Sequence, residues 1–324
     1  MFLSIIIPCY NVAEHLKGTI DSLKYQPRDI DCEFIFVNDG STDNTLELIR
    51  NFEVSDSRVR VIDKENGGVS AARNDAMDIM KGEYMLCLDG DDILKGNAID
   101  FIYREMRDNK VEILIPAITF AYSSGLCKDY IPRISEGVYS VDNLFKKIDI
   151  FPISPQNIYQ TSLININKLR FDKTLHMGEV FEFTIRYLSH VKSVKISHCS
   201  FYNYVMRNGS AIHHPNYKKD ITALYSGLSI LKSGEKFKCY NSFNISVFKI
   251  VASFTLNKYL KNHISLPEAL NVVEKVAKDT DFRIVCKRVV LGKHNRLKER
   301  LTAFVMLTIP SFALRIFQKI NKFG

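Results

Sequence analysis

The chain contains no tryptophan among its 324 residues, and no two of its seven cysteines are spaced C-x-x-C. The cysteines sit singly at 9, 32, 87, 127, 199, 239 and 286. An odd, scattered set argues against a disulfide scaffold or a cysteine-built zinc site and points to a reducing compartment. No stretch reaches the roughly 20 apolar residues that a membrane-spanning helix requires. The opening MFLSIIIPCYN lacks the basic n-region and small-residue cleavage site of a secretory signal, so a buried strand is expected there. Internal repeats and low-complexity linkers are also missing. With 46% hydrophobic and 25% charged residues, the chain is neither disordered nor fibrous.

Positive charge is plentiful but uneven. Residues 283–324 carry ten Lys and Arg against one acid, Glu299, a net +9 of the chain's +8. The other 282 residues are therefore close to neutral. This asymmetry predicts an anionic partner for the tail. Within the tail, Leu301–Leu314 is fourteen uncharged residues interrupted by Pro310. Two readings fit it: an interfacial membrane anchor or a core helix. The charge favours the membrane surface. A nucleic-acid partner is not expected, since the tail matches no recognised binding motif.

Strand and helix signals alternate over the first 95 residues. Strands are predicted at Phe2–Pro8, Cys32–Asn38, Val59–Asp63 and Tyr84–Leu88. Helices are predicted from a cap at Asn11 to about Leu23, from Thr42 or Asp43 to about Phe52, and from Ser70 to about Met80. This rhythm predicts an α/β fold with a mostly parallel sheet flanked by helices. Beyond it, a helix is expected over Ile99–Asp108, a long strand over Val111–Tyr122, helices over Ser154–Asn165 and Glu179–Ser189, and a strand over Val194–Tyr204. Residues 217–278 read as helical. The expected division is a domain of residues 1–215 and a helical C-terminal region of 216–324.

Parallel sheets bind ligands at the carboxyl ends of their strands, and the polar clusters fall there. Asp89-Gly90-Asp91-Asp92 puts three carboxylates in four residues, a repulsion that a cation or a hydrogen-bond network must relieve. One reading is a Mg²⁺ or Mn²⁺ site that bridges to a pyrophosphate. The other is a helix cap by Asp91 or Asp92. Asp39 can accept from a base N–H or a ribose hydroxyl, or simply close an Asx-turn. Tyr10 can stack on a base or stand idle at the rim. In Asn66-Gly67-Gly68 the glycines let backbone approach a ligand. Arg73, on the helix that follows, can meet a phosphate or form a surface salt bridge.

Four segments, SIIIPCYN (4–11), VNDGSTDNT (37–45), ENGGVSAARN (65–74) and LDGDD (88–92), together resemble the nucleotide-sugar domain of family 2 glycosyltransferases of the GT-A (Rossmann-like) fold, of the bacterial surface-polysaccharide type. The likeness continues more weakly through QNIYQTSLI (156–164), HMGEVFEF (176–183) and YVMRNGS (204–210), and fades after about 210 residues. It implies that Pro8, Tyr10 and Asp39 surround the base, commonly uracil. Asn66 and Arg73 would assist at the base or phosphates, and Asp89 would approach the ribose. Asp91 would ligate the metal, Mn²⁺ or Mg²⁺. Arg207 and Ser210 would close over the diphosphate. His213 or His214 would add a metal or phosphate contact, unless the two are a surface pair.

One departure stands out. Relatives usually carry Gly-Glu-Asp where this chain has Gly178-Glu179-Val180, and the missing Asp is generally the base for the acceptor hydroxyl. Glu179 or Glu182 can stand in, with Glu179 favoured. Otherwise the acceptor is activated differently, or the copy is impaired. The expectation is therefore an inverting, metal-dependent glycosyltransferase. It would move a sugar from a UDP-sugar donor to a glycan or lipid-linked acceptor, on the cytoplasmic face of the cell membrane. The alternative is a catalytically impaired sugar-nucleotide-binding protein of the same descent.

Overall fold

The computed structural model describes residues 1–148, 156–175 and 178–206 throughout, and part of the chain between 229 and 306. It divides into two compact units. The first comprises Met1–Leu144, Pro152–Lys173 and His190–Ser210, and the second Phe145–Phe151, Thr174–Ser189 and Ala211–Gly324.

The first unit begins as expected. Strand β1 (Leu3–Cys9), helix α1 (Ala13–Lys24), β2 (Cys32–Asp39), α2 (Thr45–Ser55), β3 (Val59–Lys64), α3 (Val69–Ile79) and β4 (Tyr84–Cys87) follow in order. Every residue of β1, β2 and β4 is buried, as strands covered on both faces must be. Glu33, buried in β2, is satisfied by the Ser4 hydroxyl at 2.6 Å, the Lys81 N–H at 2.6 Å and the Arg60 guanidinium at 2.8 Å. The remaining elements are β5 (Ile93–Leu94), α4 (Ala98–Asn109), β6 (Ile113–Ile115), β7 (Ile118–Tyr122), β8 (Cys127–Tyr130), β9 (Gly137–Ser140), α5 (Val141–Lys147), β10 (Ile158–Gln160), α6 (Thr161–Ile166), α7 (Glu179–Leu188), β11 (Ser193–Ile196), β12 (Tyr202–Met206) and α8 (Thr280–Leu291).

Two sheets result. The larger has eight strands in the order β3-β2-β1-β4-β10-β6-β11-β9, and the smaller four in the order β5-β12-β7-β8. The β3-β2-β1-β4 half is wholly parallel. β10 then runs antiparallel to both neighbours, β4 and β6. The apolar face of α1, with Leu16, Ile20 and Leu23, packs with Ile99, Ile102 and Met106 of α4 on one face of the large sheet.

Three expected elements differ. The strand expected over Val111–Tyr122 is two strands in two sheets. Pro116 has no N–H to give a ladder, and the chain crosses there from the large sheet to the small one. The strand expected over Val194–Tyr204 likewise splits into β11 and β12 at the polar Ser197-His198-Cys199-Ser200. Where a helix was expected over Ser154–Asn165, Ile158–Gln160 forms a central strand and the helix starts only at Thr161. Continuous apolar runs do not by themselves mark where a chain changes sheet.

One cap also differs. Asn11 does not cap α1; it adopts a left-handed φ of 50°, and its side-chain oxygen accepts from the Thr42 N–H at 2.8 Å. Asp43 serves both helix starts instead. One oxygen accepts from Ala13 N of α1 at 3.1 Å, the other from Thr45 N of α2 at 3.0 Å.

In the second unit, Phe145 stacks on Phe237 at 4.5 Å and on Tyr240 at 5.6 Å. Asp279 caps α8 by accepting from Phe282 N at 2.9 Å. Lys238, buried, pairs with Asp281 at 2.9 Å. Among the described residues, no helix is long and apolar enough to cross a membrane. Most of the Leu301–Leu314 segment, and most of 217–278, lies outside the described residues.

Candidate active site

Strand register decides what meets at the sheet's carboxyl edge. Cys9 pairs with Asn38, and Asp39 with Lys64, while Leu88 N donates to Ile6 O at 2.9 Å. Tyr10, Asp39, the turn after Lys64, and Asp89 are therefore level along one edge of the first unit. Pro8 is buried in β1, whereas Tyr10 directly after it is 51% exposed.

The Asp39 carboxylate is held from three sides. Gly67 N donates to Oδ1 and Gly68 N to Oδ2, each at 2.8 Å. The Lys64 ammonium reaches Oδ1 at 3.0 Å. The two N–H groups lead into α3, so the carboxylate also sits at the positive end of a helix dipole. Burial works against the Lys64 charge, but the hydrogen bond and charge of Asp39 outweigh it and hold the Lys64 pKa above its ordinary value. With two bonds on Oδ1 and one on Oδ2, the Oδ2 atom retains acceptor capacity. Asn66 is exposed and braces the turn by donating to Asp39 O at 2.9 Å. Gly40, at φ +73°, allows this approach: a Cβ there would lie 2.7 Å from Asn66 N.

Arg73 on α3 is buried, not a surface residue. It donates to Asp89 Oδ1 at 2.9 Å, and its guanidinium lies 5.3 Å from the centre of the Phe171 ring. Phe171 is fixed by Asn74, whose amide donates to Phe171 O at 2.9 Å and accepts from Phe171 N at 2.8 Å. Asp89 remains partly open, with 32% of its side chain exposed.

The three acids of the Asp89–Asp92 loop divide their roles. Asp92 is 2% exposed and caps no helix. The Tyr202 hydroxyl donates to its Oδ2 at 2.6 Å, and Val205 N donates to Oδ1 at 2.8 Å. Burial, with the charge of Asp89 added, pushes the Asp92 carboxyl up to about 8 against those two bonds. The Tyr202 oxygen also accepts from Asp89 N at 3.2 Å, so one phenol ties both ends of the loop. Thr19 of α1 reaches Gly90 O at 3.0 Å and Asp92 O at 2.8 Å. Gly90 is required by contact, since a Cβ there would meet Cys9 Sγ at 2.7 Å and Pro8 O at 3.1 Å.

Asp89 and Asp91 are the half-exposed acids of the loop. Among the described residues, no three His, Cys, Asp or Glu side chains converge as a ready-made metal site. Two carboxylates fit a hard divalent cation of the Mg²⁺ type, which keeps several waters and takes its other oxygens from substrate phosphates.

In the second unit, Gly178 turns the chain into α7 with φ +79°. Glu179 and Val180 are half-buried in its first turn. Glu182 is buried and clamped by Arg186 of the same helix at 2.6 and 2.7 Å. A carboxylate so paired is poorly placed to take a proton. Arg207, Ser210, His213 and His214 lie outside the described residues.

Sequence reasoning missed Lys64, Phe171 and Tyr202, and misread Asp92. Tyr202 lies 110 residues from the acid it holds, and no spacing signals such a pair.

The family model described as "Glycosyl transferase family 2" matches residues 4–169, just over half of the chain. A poly(ribitol-phosphate) beta-glucosyltransferase of Bacillus spizizenii is 33% identical over 216 residues, covering 64% of this chain and 33% of that protein. Glycosyltransferase GlyG of Streptococcus pneumoniae is 36% identical over 114 residues, 35% of this chain and 38% of its own. The chain thus spans little more than a third of these relatives. The solved structure of S. aureus TarS 1–349 in complex with UDP aligns over 100% of this chain and 92% of that one, at 19% identity and a TM-score of 0.79. That likeness shows the GT-A fold. The match over residues 4–169, with its strand-end carboxylates on one edge, places the chain in glycosyltransferase family 2.

Proposed function

We propose that the protein is an inverting, metal-dependent glycosyltransferase that moves a sugar from a UDP-sugar to a glycan or lipid-linked acceptor in surface-polysaccharide synthesis. One observation carries the reading. Asp39, buried and with one bond on Oδ2 against two on Oδ1, ends β2 on the same strand-end edge that Asp89 occupies after β4. A base N–H and a diphosphate are thereby accommodated within one donor. The relatives' names support the substrate class: a glucosyltransferase on poly(ribitol-phosphate), and an S. aureus structure in complex with UDP-GlcNAc.

In this mechanism Asp39 Oδ2 accepts from the base, the exposed Tyr10 ring covers it, and Asp89, aligned by Arg73, accepts from the ribose. Asp91 would hold Mn²⁺ or Mg²⁺, which would supply positive charge to the diphosphate when bound. Arg207 and Ser210 close over the phosphates, with His213 as a further contact. Glu179 takes the proton of the acceptor hydroxyl. The acceptor oxygen bonds to the anomeric carbon as the bond to the β-phosphate oxygen breaks, and the diphosphate leaves with that electron pair. Attack opposite the leaving group inverts the centre. A fixed base contributes about 10²–10⁴-fold, and preorganised charge at the leaving group contributes most.

Val180 sustains the second reading, a sugar-nucleotide-binding protein with impaired turnover. The basic stretch 283–324 would hold either form at an anionic membrane surface facing the cytoplasm. A thermal-shift screen with UDP, GDP and dTDP, each with and without Mn²⁺, tests the donor reading. Metal-dependent stabilisation by UDP is expected, and no shift with any nucleotide refutes it.

A further inference from the structure

β10 is the strand that breaks the parallel order of the large sheet. It runs antiparallel to both neighbours, with Ile158 paired to Leu86 of β4 on one side and to Leu114 of β6 on the other. From Leu86 the chain continues through Cys87 and Leu88 to Asp89. Because β10 runs the opposite way, Gln156 and Asn157, which lead into it, enter the sheet at the edge where β4 leaves for Asp89. Both are fully buried.

Asn157 is spent on its own strand, its amide donating to the Tyr159 hydroxyl at 3.3 Å. Gln156 is not. Its side-chain oxygen and nitrogen are both shut off from solvent, and neither has a hydrogen-bond partner among the described residues. Buried amide atoms are hydrogen-bonded in the great majority of folded proteins, so one with both atoms idle calls for a guest. Along the same edge Asp39, Asp89 and Asp92 each have protein partners. Gln156 has none from the fold, and it stands beside the acids assigned to the donor.

The order of the strands says which part of the donor meets it. The sheet runs β2-β1-β4-β10. The donor reading puts the base at Asp39 on β2 and the ribose and diphosphate at Asp89 and Asp91 after β4. The transferred sugar lies beyond the diphosphate, and the strand beyond β4 is β10. We infer that the Gln156 side-chain amide reads hydroxyl groups of the transferred sugar and so sets which UDP-sugar the protein accepts. The inference rests on the donor reading above. An amide offers an acceptor and a donor side by side, and two neighbouring sugar hydroxyls can complement both. Inverting one hydroxyl breaks one bond and leaves a buried polar atom idle, which is how a polar site rejects a near-isostere.

The test is calorimetry of the full chain with Mn²⁺, titrated with UDP, UDP-glucose, UDP-galactose, UDP-N-acetylglucosamine and UDP-N-acetylgalactosamine. The parent should favour one of the four sugars over its epimer at C4, or over its counterpart at C2, by about 10-fold. Gln156→Leu, apolar and of similar size, should bind UDP as the parent does and bring that ratio to within about 2-fold. Gln156→Met, which also keeps the length of the side chain, should do the same and serves where Gln156→Leu does not fold. The inference is overturned if the parent binds all four sugars alike. It is overturned if the variants keep the parent's ratio, which would make the amide the seat of a buried water. It is overturned if both variants lose UDP binding, which would make the amide a structural part. Absent UDP binding by the parent instead sinks the donor reading.

Discussion

The Tyr202 hydroxyl donates to Asp92 Oδ2 at 2.6 Å and accepts from Asp89 N at 3.2 Å, so a residue of the small sheet sets the shape of the carboxylate loop on the large one. Tyr202→Phe removes both bonds while keeping the ring. A buried carboxyl deprived of a partner costs about 1–3 kcal/mol. Urea unfolding should show a loss in that range with an unchanged slope. A loss below about 0.5 kcal/mol would mean that the loop holds itself.

Asp91→Ala should remove the metal dependence of donor binding. Asp92 is committed to Tyr202 and Val205, and Asp89 to Arg73, so neither can replace it without breaking its own bonds. Calorimetry of UDP with Mn²⁺ should then give the affinity measured in EDTA. An affinity equal to the parent's would take Asp91 out of the metal site.

These two residues mark how much of the site was legible. The parallel half of the sheet could be read because its strands are buried on both faces and carry continuous apolar runs, as in LSIIIPC and CEFIFVND. The strand-end acids were visible because parallel topology fixes where ligands go. Sheet switching at Pro116 and at Ser197–Ser200 was not, since apolar patterning reports burial and not which sheet a strand joins. Asp92 stood as a candidate helix cap, in a cluster whose repulsion a cation or a hydrogen-bond network had to relieve. Its actual partners, Tyr202 and Val205, are more than a hundred residues away and carry no local signature.

Glu182 and Glu179 should separate cleanly. Glu182→Gln breaks a buried pair with Arg186 and should cost stability, about 2 kcal/mol by chemical unfolding. Glu179→Gln should lower turnover about 10²-fold or more with donor affinity kept. Wild-type turnover in Glu179→Gln would discard it as the base. Val180→Asp discriminates the two functional readings: a large gain in transfer indicates an impaired protein, and no gain indicates that Glu179 suffices.

Asp56 gives a pH-dependent test away from the site. Its buried carboxylate pairs with Arg58 at 2.8 Å and Arg28 at 3.0 Å, and Arg58 also donates to Leu23 O, Gln26 O and Pro27 O at the end of α1. Burial alone would raise the Asp56 pKa, but the Arg58 bonds and the two charges outweigh it and hold it below the ordinary value. The stabilisation is therefore complete above the unfolded value of about 3.9 and is lost as pH falls through the lower folded one. Asp56→Asn should cost about 3–5 kcal/mol at pH 7 and much less at pH 2 to 3. An equal cost at both would assign the effect to packing.

Asp39→Asn tests the donor reading at the atom that carries it. The amide can accept from one backbone N–H but must turn its NH₂ toward the other, or toward the Lys64 ammonium, and either contact sets donor against donor. The substitution also removes a charge from the start of α3, where a helix favours an anion. UDP-induced stabilisation should disappear in a thermal-shift assay, alongside a loss of about 1–3 kcal/mol in the unliganded protein. Tyr10→Ala separates the two effects, because Tyr10 is exposed: it should weaken UDP binding while leaving unliganded stability within about 0.5 kcal/mol. If Asp39→Asn lost stability but kept the full UDP shift, the carboxylate would be a brace for the Gly67-Gly68 turn, and the base would have to bind elsewhere along the edge.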